Sequence, residues 1–200
     1  MNLTIAIVGS GKAGAALHVG LSCAGHDVRF AKKGEIAEVA SRAEVIVLCV
    51  PFAAVNDVAC ELETAADCKT VIDVTNPLTP DLKLAIGFTT SGGEELQNIL
   101  PRARIVKAFN TVFAEHMSTG RVNGDQLTAF AASDDGAARK IVLELAREIG
   151  FDPVDAGPLK NARSLEAMAF LNVQLGWVLG NGPNVGFKFV RASTSIPRYR

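Results

Sequence analysis

No run of apolar residues in the 200-residue chain approaches the roughly 18 that a membrane span requires. Net charge is also lacking: at −1, the chain has no broad attraction for nucleic acid or an anionic membrane. No C-x-x-C pair occurs among Cys23, Cys49, Cys60 and Cys68, and His18, His26 and His116 are scattered. That spacing argues against a zinc site and for reduced thiols in apolar or helical surroundings. The amino terminus has no basic region, and a strand-like segment begins almost at once. The expectation is a cytoplasmic protein without a signal or transit peptide. There is no internal repeat, low-complexity stretch or long linker, and no Ser-His-Asp set or paired carboxylates placed at a site.

What is present is an apolar content of 48% with 20% charged residues, enough for a packed core. Apolar strand-sized runs at Leu3 to Val8, Val28 to Ala31, Val45 to Val50, Thr70 to Val74, Arg104 to Ala108, Leu127 to Ala132 and Pro153 to Asp155 alternate with helical segments. The helices are expected over Gly11 to Ala24, Glu35 to Arg42, Phe52 to Leu62, Gly93 to Leu100 and from Ser133-Asp134-Asp135 to Ile149. This alternation predicts an α/β fold: a Rossmann-type, doubly wound parallel sheet over residues 1–155 with a small C-terminal helical extension over 156–200.

In that extension, Asn161 to Leu179 reads as one helix with two apolar stripes. Met168, Leu171, Leu175 and Val178 form one, and Phe170, Val173 and Trp177 form the other. Two stripes imply burial on both sides. Either a second subunit of a homodimer or another part of the same chain covers the second. The basic tail from Arg191 to Arg200 reads as a loose terminus or a contact arm.

Gly9-Ser10-Gly11-Lys12-Ala13-Gly14 is a G-x-G-x-x-G that follows a strand and opens a helix. In that context the first glycine permits a tight turn, the second admits a pyrophosphate and the third lets helix and strand pack. The helix amino end offers N–H groups and a partial positive charge. The second strand ends in Phe30-Ala31-Lys32-Lys33-Gly34, without the acid that binds adenosine ribose hydroxyls in NAD enzymes. Lys32 and Lys33 attract a 2′-phosphate, so NADP(H) is favoured over NAD(H) unless they are ordinary surface charges; Glu35 weakens the attraction slightly.

Ligands of such sheets lie outside the carboxyl ends of the strands. Val50, Pro51, Phe52 and Ala53, then Thr75, Asn76 and Pro77, then Ala108, Phe109, Asn110 and Thr111 should therefore line the cofactor. Asn76 is either a ligand or a turn residue before proline. Asn110 either orients the nicotinamide carboxamide or holds its own loop. Arg163 and Glu166, three apart on a helix, suggest an ion pair on one face or contact with an anionic substrate. Lys107 reads as structural rather than as a proton donor.

These residues resemble the F420-dependent NADP oxidoreductase family. The resemblance is carried by the glycine motif, Gly25-His26-Asp27-Val28, Ile72-Asp73-Val74-Thr75-Asn76-Pro77, Val106-Lys107-Ala108-Phe109-Asn110-Thr111, and Asp155-Ala156-Gly157-Pro158-Leu159 with Asn161-Ala162-Arg163 and Glu166. It implies NADP(H), a homodimer, and hydride transfer to a deazaflavin (F420) or, as in the similar amino-terminal domains of the STEAP metalloreductases, a flavin. Family members commonly carry a hydroxyl residue and arginines where Lys32 and Lys33 stand, so charge is kept and the bidentate grip is lost. No acid or base residue is expected to be catalytic, because the cofactors carry the chemistry. Alternatives are a reductase of a small carbonyl or imine, disfavoured by the short segment after Asp155, and a non-catalytic dinucleotide sensor.

Overall fold

A computed structural model describes residues 2–192. The strands are β1 (Thr4–Val8), β2 (Asp27–Ala31), β3 (Val45–Leu48), β4 (Thr70–Asp73), β5 (Arg104–Ala108), β6 (Arg121–Val122), β7 (Asp125–Gln126), β8 (Thr128–Ala132) and β9 (Asp152–Asp155). The helices are α1 (Lys12–Cys23), α2 (Ile36–Arg42), α3 (Val55–Leu62), α4 (Gly92–Ile99), α5 (Gly136–Ile149) and α6 (Ala162–Val173). The main sheet runs β2-β1-β3-β4-β5-β8-β9.

Alternate residues of each central strand feed two cores, as expected where both faces are covered. Ile5, Ile7, Val45, Val47, Ile72 and Val106 pack with α1 and α5. Val8, Ile46, Leu48, Val71 and Ile105 pack with α2, α3, α4 and the start of α6. The chain leaves β1 for β2 on one side and then returns to β3 on the other. That reversal opens a crevice at the carboxyl ends of β1 and β3, where open α/β sheets bind ligands.

The expected Rossmann-type sheet is mostly parallel, with one reversal. β1 to β5 are parallel, but β8 pairs with β5 antiparallel, and β9 follows β8 in parallel. The reason lies between Asn110 and Leu127, where the chain forms a 3-10 turn and the small β6–β7 hairpin instead of a crossover helix. Asn123 and Gly124, with φ of 50° and 89°, form the hairpin tip. An Asn-Gly pair is a hairpin signal that the strand-and-helix reading passed over.

The C-terminal segment also differs from expectation. α6 stops at Val173 and a π-turn covers Gln174–Val178. The described residues that follow are not helical. Thr128 N–H donates to the Phe187 carbonyl, and Phe189 N–H to Thr128 Oγ1, so this stretch lies against the start of β8. Of the basic tail, Arg191 pairs with Asp152 at 2.9 Å, and residues 193–200 lie outside the described residues. Neither expected apolar stripe is the buried face of α6. Ala162, Leu165, Glu166, Ala169 and Asn172 are buried, while Leu171, Trp177 and Val178 are exposed. Polar groups at the sheet edge, described next, draw Glu166 and Asn172 inward.

Candidate cofactor site

The glycine turn is shaped by contacts that exclude side chains. Gly9 has a φ of +109°, and a Cβ there would lie 2.2 Å from the Cys49 carbonyl oxygen. A Cβ on Gly14 would lie 2.0 Å from the Gly9 carbonyl oxygen. The first and third glycines thus let β1, the turn and α1 touch at the β1–β3 crevice. Gly11 differs: a Cβ there meets nothing within 4 Å. It is the N-cap of α1 and provides no side-chain cap, and no acid sits in the first turn. The first bond back to it comes from Ala15 N–H. The amino-terminal N–H groups of α1 therefore face open space with the positive end of the helix dipole behind them. These features fit a pyrophosphate. Lys12 contributes backbone here, since its side chain is 85% exposed and leans toward Glu115 at 3.8 Å.

A cleft of about 390 Å³ continues from this turn. It is lined by Gly9, Ser10, Lys32, Lys33 and Val50 from the expected set, and also by Phe30, Ile36, Ala54, Val58, Asp57 and Glu61. The apolar members give the cleft apolar walls. Lys32 and Lys33 are exposed at the tip of β2, and among the described residues neither has an ion-pair partner. Sequence reasoning missed the α3 residues, which only the fold brings opposite β2. Pro51 and Ala53 are exposed beside the cleft without lining it, whereas the Phe52 ring packs toward α4, 3.1 Å from a Cβ built on Gly92.

The carboxyl ends of β4 and β5 are built differently. Asp73 ends β4, and its Oδ1 accepts from Thr75 N–H at 2.8 Å and Thr75 Oγ1 at 2.7 Å. That tight turn presents Asn76, followed by buried Pro77. Lys107, fully buried, donates through Nζ to Asp73 Oδ2 at 2.9 Å, the Thr75 carbonyl at 2.6 Å and Glu166 Oε1 at 2.7 Å. Burial alone would lower its pKa, but Asp73 and Glu166 outweigh that and hold the ammonium above the ordinary lysine range. Burial, with help from Asp73, pushes the nearby Cys49 thiol up to about 12. It is therefore no thiolate nucleophile near neutrality. The other three cysteines are free and exposed, Cys23 on α1 and Cys60 on α3.

Beyond buried Ala108, Phe109 takes a φ of 61° and packs its ring against Phe151 at 5.7 Å. For a residue with a Cβ, that backbone costs about 1–3 kcal/mol. It turns Asn110 back into the sheet edge. Asn110 Nδ2 donates to Asn76 Oδ1 and to the Leu165 carbonyl, both at 3.0 Å, while Asn76 Nδ2 donates to the Asn110 carbonyl at 2.9 Å. Asn110 Oδ1 is buried and has no partner among the described residues. Both strand-end amides thus hold their loops.

The expected Arg163–Glu166 pair does not form. Arg163 binds Glu94 of α4 through two bonds, at 2.7 and 2.8 Å. Glu166 turns to Lys107 and to the Gly92 and Gly93 N–H groups, at 3.0 and 3.2 Å. The two side chains point to different partners because α6 lies in the groove between α4 and the sheet.

Comparison with known proteins fits this geometry. Residues 31–77 match the family of coenzyme F420-dependent NADP oxidoreductases. The F420-dependent NADP reductase of Methanothermobacter marburgensis is 33% identical over 149 residues, covering 70% of this chain and 65% of that protein. The rat metalloreductase STEAP3 is 33% identical over 131 residues, covering 66% of this chain and 26% of that protein. The chain therefore spans about a quarter of the metalloreductase and just under two thirds of the archaeal enzyme. A crystal structure from Arthrobacter sp. FB24, provisionally assigned as an F420-dependent NADP-reductase, superposes with a TM-score of 0.87 at 26% identity. It is covered completely, along with 95% of this chain. The NADP-bound pyrroline carboxylate reductase of Plasmodium falciparum shares the fold at a TM-score of 0.59 and 14% identity, covering 90% of this chain and 71% of that one. In its sequence, its Rossmann-like sheet and its glycine turn, the chain is similar to the F420-dependent NADP oxidoreductases.

Proposed function

We propose that this chain is an NADP(H)-dependent oxidoreductase that transfers a hydride between the nicotinamide and a deazaflavin (F420) or flavin-type acceptor. The observation that carries the reading is a cleft lined by Gly9 and Ser10, next to the side-chain-free helix terminus at Gly11, with Lys32 and Lys33, which have no ion-pair partner among the described residues, at its β2 rim. In this reading Gly9, Ser10, Gly11, Lys12, Ala13 and Gly14 hold the pyrophosphate. The two lysines hold the 2′-phosphate. Val50 and Ala54 wall the adenosine, and Pro51, Phe52 and Ala53 continue along the rim. The nicotinamide extends toward Asn76, Pro77, Ala108 and Asn110.

NADP(H) supplies the hydride chemistry when bound, and no acid or base of the chain need take part. The chain's own work is to bind, to orient the ring against an acceptor, and to exclude water. The saturated bonding of Lys107 fits that division, since every N–H of its ammonium already has an acceptor. The family resemblance supports the acceptor class, a homodimer and a cytoplasmic setting. Among the described residues no helix is long and apolar enough to cross a membrane.

An acceptor screen tests the reading. Purified protein is given NADPH with F420, FMN, or a small imine or carbonyl. Oxidation of NADPH that requires F420 or FMN supports it. Turnover of an imine or carbonyl without a flavin, or tight NADPH binding with no turnover at all, contradicts it.

A further inference from the structure

The polar bonds at the β4–β5 edge close on themselves. Lys107 holds the Thr75 carbonyl, and Thr75 precedes Asn76. Asn76 and Asn110 exchange bonds in both directions, and Asn110 reaches the Leu165 carbonyl. Leu165 precedes Glu166, which returns to Lys107. The ring thus joins residues 73–76, 107–110 and 165–166, segments remote in sequence.

Its members leave little freedom. The ammonium has three N–H groups and finds three acceptors. Two carboxylates against one ammonium leave a formal excess of one negative charge, which the Gly92 and Gly93 N–H groups at the amino end of α4 offset. The Asn110 amide cannot turn over without setting its oxygen against the Leu165 carbonyl, so its orientation is fixed as well. A second tie, from Asn172 Nδ2 to the Thr111 carbonyl at 3.1 Å, holds α6 one turn beyond the ring. A polar network in which Asn110 Oδ1 alone lacks a partner among the described residues defines a single geometry more sharply than apolar packing would.

We propose that Glu166 and Lys107 are positioning residues for hydride transfer: through this ring, α6 fixes the amides of Asn76 and Asn110 at the carboxyl ends of β4 and β5, toward which the nicotinamide extends in that reading. The inference rests on the NADP(H) reading above. Neither residue touches the cofactor. Their influence reaches only the nicotinamide half, because the adenosine half is built from β1, α1, β2 and α3, outside the ring.

The test compares two ligands on the intact protein. Adenosine 2′,5′-bisphosphate carries the base and the 2′-phosphate but no nicotinamide, and NADPH carries both halves. Affinities for each, and the fluorescence anisotropy of bound NADPH, are measured for wild type, Glu166→Gln and Asn76→Ala. The second variant opens the ring at its half-buried link, where folding is least at risk.

In both variants the bisphosphate should bind within about twofold of wild type. The advantage of NADPH over it should fall by about tenfold, with lowered anisotropy of the dihydronicotinamide. Glu166→Gln combined with Asn76→Ala should be no worse than the weaker single variant, because both open one ring. Unchanged NADPH affinity and anisotropy, or equal loss for both ligands, overturns the proposal. Wild type that binds neither ligand overturns the NADP(H) reading itself, and the proposal with it.

Discussion

At the β1–β2 end of the sheet's carboxyl edge the chain offers bare backbone and two exposed lysines, arranged within 25 residues of sequence from Gly9 to Lys33. At the β4–β5 end it offers buried side chains that bond to one another across three distant segments. The first end works by what is missing: no Cβ at Gly11, no N-cap side chain, no acid at the tip of β2. The second works through side chains bonded to one another. In the proposed reading a phosphate is bound by donors left free for it, whereas a ring is oriented by groups already tied to one another. The difference predicts which substitutions affect the fold and which affect only a ligand.

The largest effect is expected at the glycines of the turn. Gly9→Ala and Gly14→Ala each drive a methyl into backbone, and Gly9 adds an unfavourable φ of +109°. Loss of roughly 3 kcal/mol or more is expected in denaturant unfolding. Gly11→Ala should leave the unfolding midpoint within about 0.5 kcal/mol, since its Cβ enters open space, while weakening NADPH binding. If Gly11→Ala unfolds the protein as Gly9→Ala does, the turn is structural only and the contrast between free and filled positions fails.

Next comes Lys107→Met. It leaves Asp73 and Glu166 buried without their cation, which should destabilise the fold by about 3–5 kcal/mol. Lys32→Ala and Lys33→Ala lie at the other extreme. Each should leave thermal stability unchanged and weaken NADPH by about tenfold, with NADH affinity unaltered, as expected for loss of one exposed ammonium beside a phosphate.

How far these features can be read from the sequence follows the same division. The glycine motif, Lys32 and Lys33, and the strand runs from Leu3 to Ala108 are local patterns, and the structure places them much as their spacing implies. The reversal of β8 escaped because strand direction depends on the connection, and only Asn123-Gly124 marked the hairpin that replaces a crossover. The α6 face escaped because hydrophobic periodicity weighs Leu171 and Trp177 above Glu166 and Asn172. Burial there follows partners at Lys107 and Thr111, which no local window contains. Lys107 was legible as a structural lysine, but Glu94 as the partner of Arg163 was not, since 69 residues separate them.

The smallest effect is expected from pH. Hydrogen bonding to Arg163 holds the Glu94 carboxyl below its ordinary value of 4.5. The stability this pair gives is present above about pH 4.5 and is lost as pH falls through the lowered folded value. Lys107 works in the opposite direction. Its pKa is raised above 10.5, so its contribution is complete below that pH and fades only as pH climbs through the higher folded value. Unfolding midpoints should therefore show a slight acid-side loss removed by Glu94→Gln, and no step between pH 7 and pH 10 that Lys107 could explain. A step in that range would mean that the buried end is less saturated than its bonds indicate.

Calorimetric titration of the folded protein with NADPH and NADH, repeated on the Lys32→Ala/Lys33→Ala variant, tests the central claim most directly. The account predicts tighter binding of NADPH by wild type and near-equal affinities in the variant. No binding of either coenzyme, or a preference for NADH in wild type, would contradict it.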